Sequence, residues 1–414
     1  MEFKEYKLSD LTINGKGEYG IGASAVEYNP SLYRYLRITD IDDNGFINTD
    51  ELKSVNDKNA ENYLLKENEI VFARTGNSTG KSYFYNGEDG PLVFAGFLIR
   101  FKLDSKKVNP KFIRYYTLSE NYKGWINQFA TGSTRKNINA KTYGNMIIKL
   151  PPRSYQNYIV RILDSLEEKL KENKKIIANL EELSQTLFKR WFVDFEFPDE
   201  NGNPYKSSGG DMVESELGVI PKDWSIQTLN DISESYNTKR KPLSKLEREK
   251  VASIYPYYGA TKIIDYVDDY LFDGKFILVG EDGTVQTEEG HPFVQYVWGQ
   301  FWVSNHAHIL KGKNLSDEVL MLILNNIDIQ PYITGAVQPK ISKKNLNSIK
   351  IVVGSKLIYG KFDQYINTYY KKIREVHDEN KYLTQLRDTL LPKLMSGEIE
   401  IPDDIEVNED ELSI

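Results

Sequence analysis

The chain repeats itself once, at domain scale. The stretch Thr131-Gly132-Ser133-Thr134-Arg135-Lys136-Asn137-Ile138-Asn139-Ala140-Lys141 returns as Thr334-Gly335-Ala336-Val337-Gln338-Pro339-Lys340-Ile341-Ser342-Lys343-Lys344, with Thr, Gly, Ile and the last Lys at one constant offset of about 203 residues. Leu8-Ser9-Asp10-Leu11 and Leu229-Asn230-Asp231-Ile232 correspond at a slightly larger offset, so insertions lie only in the globular parts. A repeat of this length implies two domains of one kind, and 414 residues is too long for one ordinary core.

The constant offset continues, without a gap, through a helical pattern. One apolar stripe runs Ile159, Ile162, Leu166, Leu170, Ile177, Leu180, Leu183, Leu187, Trp191, and the other runs Phe362, Tyr365, Tyr369, Ile373, Asn380, Leu383, Leu386, Leu390, Leu394. Steps of three and four with Glu and Lys on the other faces describe a coiled-coil seam. Each pattern covers about 38 residues, roughly 57 Å of helix at about 1.5 Å per residue. Two arrangements fit: each helix packs on its own domain, or the two pair antiparallel and hold the domains at a fixed distance. Asn380 is a candidate register-setting polar residue in the stripe, or a surface-leaning one. Pro151-Pro152 stop the strand before the first helix, and Pro392 is expected to kink or break the second.

The chain therefore divides into a globular region over 1–152, a helix over 153–196, a linker over 197–222, a second globular region over 223–354, a second helix over 355–396, and an acidic tail over 397–414. The linker reading rests on Gly, Pro, Asn and Ser, with hydrophobic periodicity stopping. Strand-like runs such as Ile70-Val71-Phe72-Ala73, Phe97-Leu98-Ile99-Arg100-Phe101 and Lys275-Phe276-Ile277-Leu278-Val279 alternate with turns, and helices are expected over Pro110–Asn127 and Asp317–Asn325. The expected fold is α/β: two tandem mixed α/β domains, each followed by a long helix, with pseudo-twofold symmetry.

Composition excludes some classes. With 40% hydrophobic and 12% aromatic residues the chain can bury a core. It has no cysteine, which removes disulfides and thiolate metal sites and fits a reducing cytoplasm. No apolar run suggests a signal peptide or a membrane span. The net charge of −7 is uneven: about +3 over 1–152, −4 over 153–223, −1 over 224–354 and −5 over 355–414. Near-neutral globular regions neither favour nor exclude nucleic acid.

Several motifs carry residue types suited to chemistry. Thr75-Gly76-Asn77-Ser78-Thr79-Gly80-Lys81-Ser82 resembles a phosphate loop, but three residues separate its glycines where four are needed, and Tyr83-Phe84-Tyr85 reads as a strand rather than a helix. A turn is the plain reading; a turn bringing Arg74, Thr75, Asn77, Ser78 and Lys81 to DNA is the functional one. The second half places Glu281-Asp282-Gly283-Thr284 there, groups that repel phosphate but accept from a cytosine amino group, or form a solvated turn. The repeated segments carry Arg135, Lys136, Asn139 and Lys141 in one half and Gln338, Lys340, Lys343 and Lys344 in the other, either exposed loops or DNA contacts. His306 and His308 would share a strand face, but no further metal ligands lie near, and His291 and His377 are isolated. There is no Asn-Pro-Pro-aromatic motif, no Gly-x-Ser-x-Gly elbow and no zincin motif, and Phe94-Ala95-Gly96-Phe97-Leu98 lacks the second glycine of a Phe-x-Gly-x-Gly loop. A binding protein is favoured over an enzyme.

Three peptides resemble the conserved regions of type I restriction-modification specificity subunits: Leu187-Phe188-Lys189-Arg190-Trp191-Phe192-Val193-Asp194-Phe195, Met212 to Trp224, and Leu390-Leu391-Pro392-Lys393-Leu394-Met395-Ser396-Gly397-Glu398-Ile399. The resemblance implies two target recognition domains, each reading one part of a split, asymmetric DNA site, with the paired helices as the ruler between them. It implies no catalysis in this chain. Two methyltransferase subunits would bind S-adenosylmethionine and methylate adenine, and two motor-nuclease restriction subunits would use ATP and Mg. One departure is Val353-Gly354-Ser355-Lys356, where the first half has Leu150-Pro151-Pro152, so the second helix is expected to begin differently. The alternative is a coiled-coil scaffold that binds proteins through its two heads.

Overall fold

A computed structural model describes residues 2–129, 137–335 and 337–399. It divides into two compact units: residues up to Glu172 together with those from Asn380 on, and Asn173–Glu379. The division differs from the chain-order one expected from sequence. Each long helix is shared, giving one part to each unit.

In the first unit, the pair Lys4–Lys7 and Ile147–Leu150 precedes the first long helix. One four-stranded sheet has the order Glu18–Tyr19, Leu98–Lys102, Glu69–Ala73, Ser82–Phe84, all antiparallel. The Glu69–Ala73 strand is buried along its length. Ile70 and Phe72 join one core cluster, Val71 and Ala73 another, so both faces of the sheet are covered. A second sheet has the order Ala25–Glu27, Lys53–Val55, Tyr33–Leu36, Leu92–Phe94, the last pair parallel. The helix expected over Pro110–Asn127 is two helices, Pro110–Tyr116 and Glu120–Asn127. Ser119 separates them because its side chain accepts the Tyr122 N–H and caps the second.

The second unit repeats this plan. Ser225–Thr228 pairs with Lys350–Val353. Its first sheet, Ser233–Ser235, Ala307–Gly312, Phe276–Gly280, Val294–Val297, matches strand for strand. Its second sheet, Ile263–Val267, Tyr255–Tyr258, Gln300–Val303, Phe272–Asp273, shares three strands but differs at the edges. The first unit adds Ala25–Glu27 on one side, and the second adds Phe272–Asp273 on the other. The expected linker is not loose: Met212–Ser215 and Gly218–Pro221 form a hairpin, and Phe197 is buried between Trp224 and Tyr205.

The long helices span Arg153–Phe188 and Lys356–Ser396. Pro152 offers its carbonyl to the Tyr155 and Gln156 N–H groups and starts the first helix. The second starts on Ser355, whose hydroxyl accepts the Ile358 N–H, so a serine cap replaces the prolines. Pro392 lies inside the second helix, which continues to Ser396 as its expected bounds have it, so of the two expected effects the proline does not break the helix. In the second unit Asn173 donates to Glu379 at 2.8 Å, while Trp191 and Phe192 pack on Phe362 with ring centroids 5.4 and 4.9 Å apart. Later residues of the first helix thus meet earlier residues of the second, and the segments run antiparallel. The buried line is Phe362, Ile366, Tyr370, Ile373, Val376; of the expected stripe Phe362 and Ile373 are buried, Tyr369 packs partly buried on the same core, and Tyr365 is half exposed. In the first unit Leu163 and Leu394 share a cluster, and Tyr155 donates to the Ile399 carbonyl. No helix among the described residues is long and apolar enough to cross a membrane.

Candidate nucleic-acid interface

The Glu69–Ala73 strand ends in a tight turn. Gly80 donates its N–H to the Ala73 carbonyl at 3.0 Å, and Thr79 to Gly76 at 3.2 Å. Gly80 has φ +95°, and a Cβ there would lie 2.7 Å from the Ile126 side chain, so glycine is required twice over. The turn leads into the Ser82–Phe84 strand, so this is a hairpin and not a phosphate loop.

Here the two candidate segments of the first half meet. Thr75 bridges to Asn137, and Ile138 donates its N–H to the Arg74 carbonyl at 2.9 Å. The Arg74 guanidinium lies over the Tyr19 ring, 5.0 Å from its centroid, and its Nε donates to Asn137 Oδ1 at 3.5 Å. Tyr19 is anchored in turn, its hydroxyl accepting the Ala140 N–H. Arg74 donates its own N–H to the carbonyl of Phe97, whose side chain is 58% exposed.

The other predicted residues divide. Asn77 and Lys141 are exposed, and Ser78 is half-buried on the turn. Lys81 pairs with Asp43 at 3.0 Å and is committed within the head. Asn139 caps the helix Ala140–Gly144, accepting the Thr142 N–H at 2.9 Å, so its side chain has a structural task. Asn139→Ala is expected to cost about 1 kcal/mol, seen as a lower melting temperature of the first unit; an unchanged melt would remove the cap as the reason for asparagine here. Arg135 and Lys136 lie outside the described residues.

The second unit builds the same corner with other side chains. Glu281 donates its N–H to the His306 carbonyl at 2.8 Å and accepts from Ile341 at 2.9 Å, and Asp282 bridges to Lys340. Thus Glu281 stands where Arg74 stands, Asp282 where Thr75 does, His306 where Phe97 does and Lys340 where Asn137 does. Glu281 does not face outward as a base acceptor. It receives Arg240 Nη1 at 2.6 Å and Lys340 Nζ at 3.4 Å. Burial pushes its carboxyl up, but the Arg240 hydrogen bond and charge together with the Lys340 hydrogen bond outweigh it and hold it below the usual carboxylate range. Lys340 is accordingly an internal partner first. Gln338 is exposed, as are Lys343 and Lys344 on the short helix Lys343–Asn347.

His306 and His308 separate rather than converge. His306 Nδ1 meets Asp282 Oδ1 at 2.6 Å near the surface. His308 is buried. Asn237 Oδ1 takes the Ile309 N–H, so its Nδ2 donates to His308 Nδ1, leaving Nε2–H for the Ile341 carbonyl. Burial accordingly lowers the His308 pKa, and the neutral ring has no nitrogen left for a metal. Among the described residues no group of three His, Asp or Glu could hold a metal ion. Sequence reading missed Tyr19, Phe97, Asn137 and Arg240. Asn137 stands in the repeated segment and Phe97 in a strand-like run without being singled out, and Arg240 lies in the basic run Lys239-Arg240-Lys241.

The profile described as the type I restriction modification DNA specificity domain matches residues 1–182 and 221–381. The chain belongs to that family. The type I restriction enzyme HindI specificity subunit of Haemophilus influenzae is 22% identical over 470 aligned positions, 96% of this chain and 100% of the relative. A second specificity-subunit sequence from the same organism is 35% identical over 126 residues, spanning 30% of this chain and 32% of that relative. The crystal structure of a type I restriction-modification S subunit from M. genitalium covers 95% of this chain and 96% of that one, with a TM-score of 0.58 at 18% identity, a likeness of fold. The two matched stretches of the specificity domain each contain one of the corners just described. This specificity subunit therefore carries the domain twice, with a basic, aromatic corner in one copy and an acidic, histidine-bearing corner in the other.

Proposed function

We propose that this specificity subunit is a non-catalytic reader of a split, asymmetric DNA site, one part addressed by each unit, with the paired long helices as the spacer. It would direct adenine methylation by two methyltransferase subunits, which carry S-adenosylmethionine, and restriction by two motor-nuclease subunits using ATP and Mg. The observation that carries this reading is the corner built twice on one backbone plan with unlike side chains, Arg74, Thr75 and Phe97 against Glu281, Asp282 and His306. Identical scaffolding with divergent contact groups suits two different sequences read in one manner. Near-neutral heads supply little salt-dependent affinity by themselves, so partners should add it.

Methylome sequencing of a host expressing the chain with methyltransferase partners tests the reading. A motif of two specified parts around an unspecified gap is expected, and absence of any split motif would favour a protein-binding scaffold. Binding to target duplex at one salt concentration should be at least about tenfold tighter with the methyltransferase subunits than for the chain alone; equal affinities would contradict the partner-assisted part.

A further inference from the structure

We propose that Arg74 is the residue by which the first unit reads a guanine, an inference that rests on the DNA-reading function above and narrows it to one base. Three other arginines of that unit are held by carboxylates. Arg37 is bound by Asp40 at 2.7 Å, Arg100 by Glu18 at 2.5 Å with Glu69 at 3.4 Å, and Arg114 by Glu167 at 2.5 Å. Arg74 meets no carboxylate among the described residues. Its contacts are the Tyr19 ring on one face and Asn137 on Nε. These fix the guanidinium plane and leave the two Nη groups, the donor fork, without a partner in the described chain.

A fork held in place before binding loses little entropy when it docks. Its two parallel donors need two adjacent acceptors. In the major groove only guanine offers them, at O6 and N7. A phosphate also presents two oxygens and accepts the same fork, so the groups beside Arg74 decide between the two. Phe97, joined to Arg74 through the backbone and 58% exposed, adds an apolar group suited to a base and not to a phosphate. The second unit cannot make this contact at its own corner. Glu281 occupies the position, and Arg240 is consumed by Glu281 and by the carbonyls of Asn237, Asn305 and Ala307. Guanine reading by this device belongs to one part of the target only.

The test compares methylomes directed by the wild type, Arg74→Ala and Lys141→Ala, each with methyltransferase partners. With Arg74→Ala, one guanine of one half should become degenerate, with discrimination there falling about tenfold or more and every other position unchanged. Lys141→Ala, an exposed cation, should weaken methylation evenly and leave the motif intact. A second measurement does not depend on the variant folding. Wild-type complex is bound to target duplexes carrying 7-deazaguanine, which lacks the N7 acceptor, at each guanine in turn. Affinity should fall about fivefold at one guanine, the same one that Arg74→Ala relaxes, and the variant complex should be indifferent there. An intact motif with Arg74→Ala, uniform weakening at all positions, relaxation of a base other than guanine, or no sensitive guanine overturns the inference while leaving the split-site reading in place. A wild type that directs no split motif overturns both.

Discussion

Replacing Glu318 with alanine should destabilise the second unit by about 3 kcal/mol, toward the lower end of what breaking a buried ion pair costs. Glu318 is fully buried at the start of the helix Asp317–Leu324. Its carboxylate receives Lys275 at 2.7 Å, the Tyr296 hydroxyl at 2.7 Å and Arg374, from the long helix, at 3.0 Å. Without it two cations face each other with no anion between them. Both retain some access to water, 34% for Lys275 and 22% for Arg374, which limits the cost. Glu318→Gln keeps an acceptor for Tyr296 and should lose about half as much. The same contact predicts a pH dependence. Burial raises the Glu318 pKa, but Lys275 and Tyr296 outweigh it and the net shift is downward. A carboxyl depressed on folding stabilises above its unfolded pKa, and that contribution is lost as pH falls through the folded one. Asp363, raised by burial and by the nearby Glu318 charge, works in the opposite sense and blunts the slope. Four of the five tryptophans lie in the second unit, so urea unfolding followed by their fluorescence reports on it. The gap between the variant and wild-type curves should narrow as pH falls below the usual carboxylate range. A midpoint difference that does not narrow anywhere in the acid range would show that Glu318 acts by packing and not by charge.

Lengthening both long helices by seven residues should lengthen the unspecified gap of the target by about three base pairs. Each insertion adds about 10.5 Å at about 1.5 Å per residue, and a base pair rises about 3.4 Å. Seven residues return the seam to the same face, so the apolar stripe continues. The places to insert are after Glu172 and after Glu379, beside the Asn173–Glu379 hydrogen bond that holds the two segments in register. Insertion in one helix alone throws that register out and should abolish directed methylation. In the doubled variant both specified parts should be unchanged in the methylome. An unchanged gap, or altered bases within the parts, would remove the helices from the spacer role.

The helices illustrate what could and could not be read in advance. Their length and position follow from periodicity, because local spacing of apolar residues is a property of the chain. Which of two neighbouring stripes is buried does not follow. Ile366 and Tyr370 are buried where Tyr365 is half exposed, and the residues they share a core with include Trp191 and Phe192, more than 160 residues away in sequence. Glu318 is a sharper case. An acid in the first turn of a helix reads as an exposed partner of the helix dipole, and only packing against Lys275, Tyr296 and Arg374 turned it into a buried hub.

At the interface the division is the same. The repeat, the two-domain plan, the tight turn at Gly76 to Gly80 and the pairing of Arg74 with Glu281 as a contrast between halves are all set by the order of residues, since each depends on near neighbours or on direct comparison of the copies. Tertiary structure alone decided which charges remain available to a ligand. Arg74 is braced by Asn137, 63 residues on, and keeps its fork open, whereas Glu281 is neutralised by Arg240, 41 residues back. Lys81 and Lys340, equally basic on paper, are taken by Asp43 and Glu281. The reason is physical: what a charge does depends on the partners the fold brings within about 4 Å of it and on how far water is excluded there, and those neighbours are chosen by the packing of distant segments.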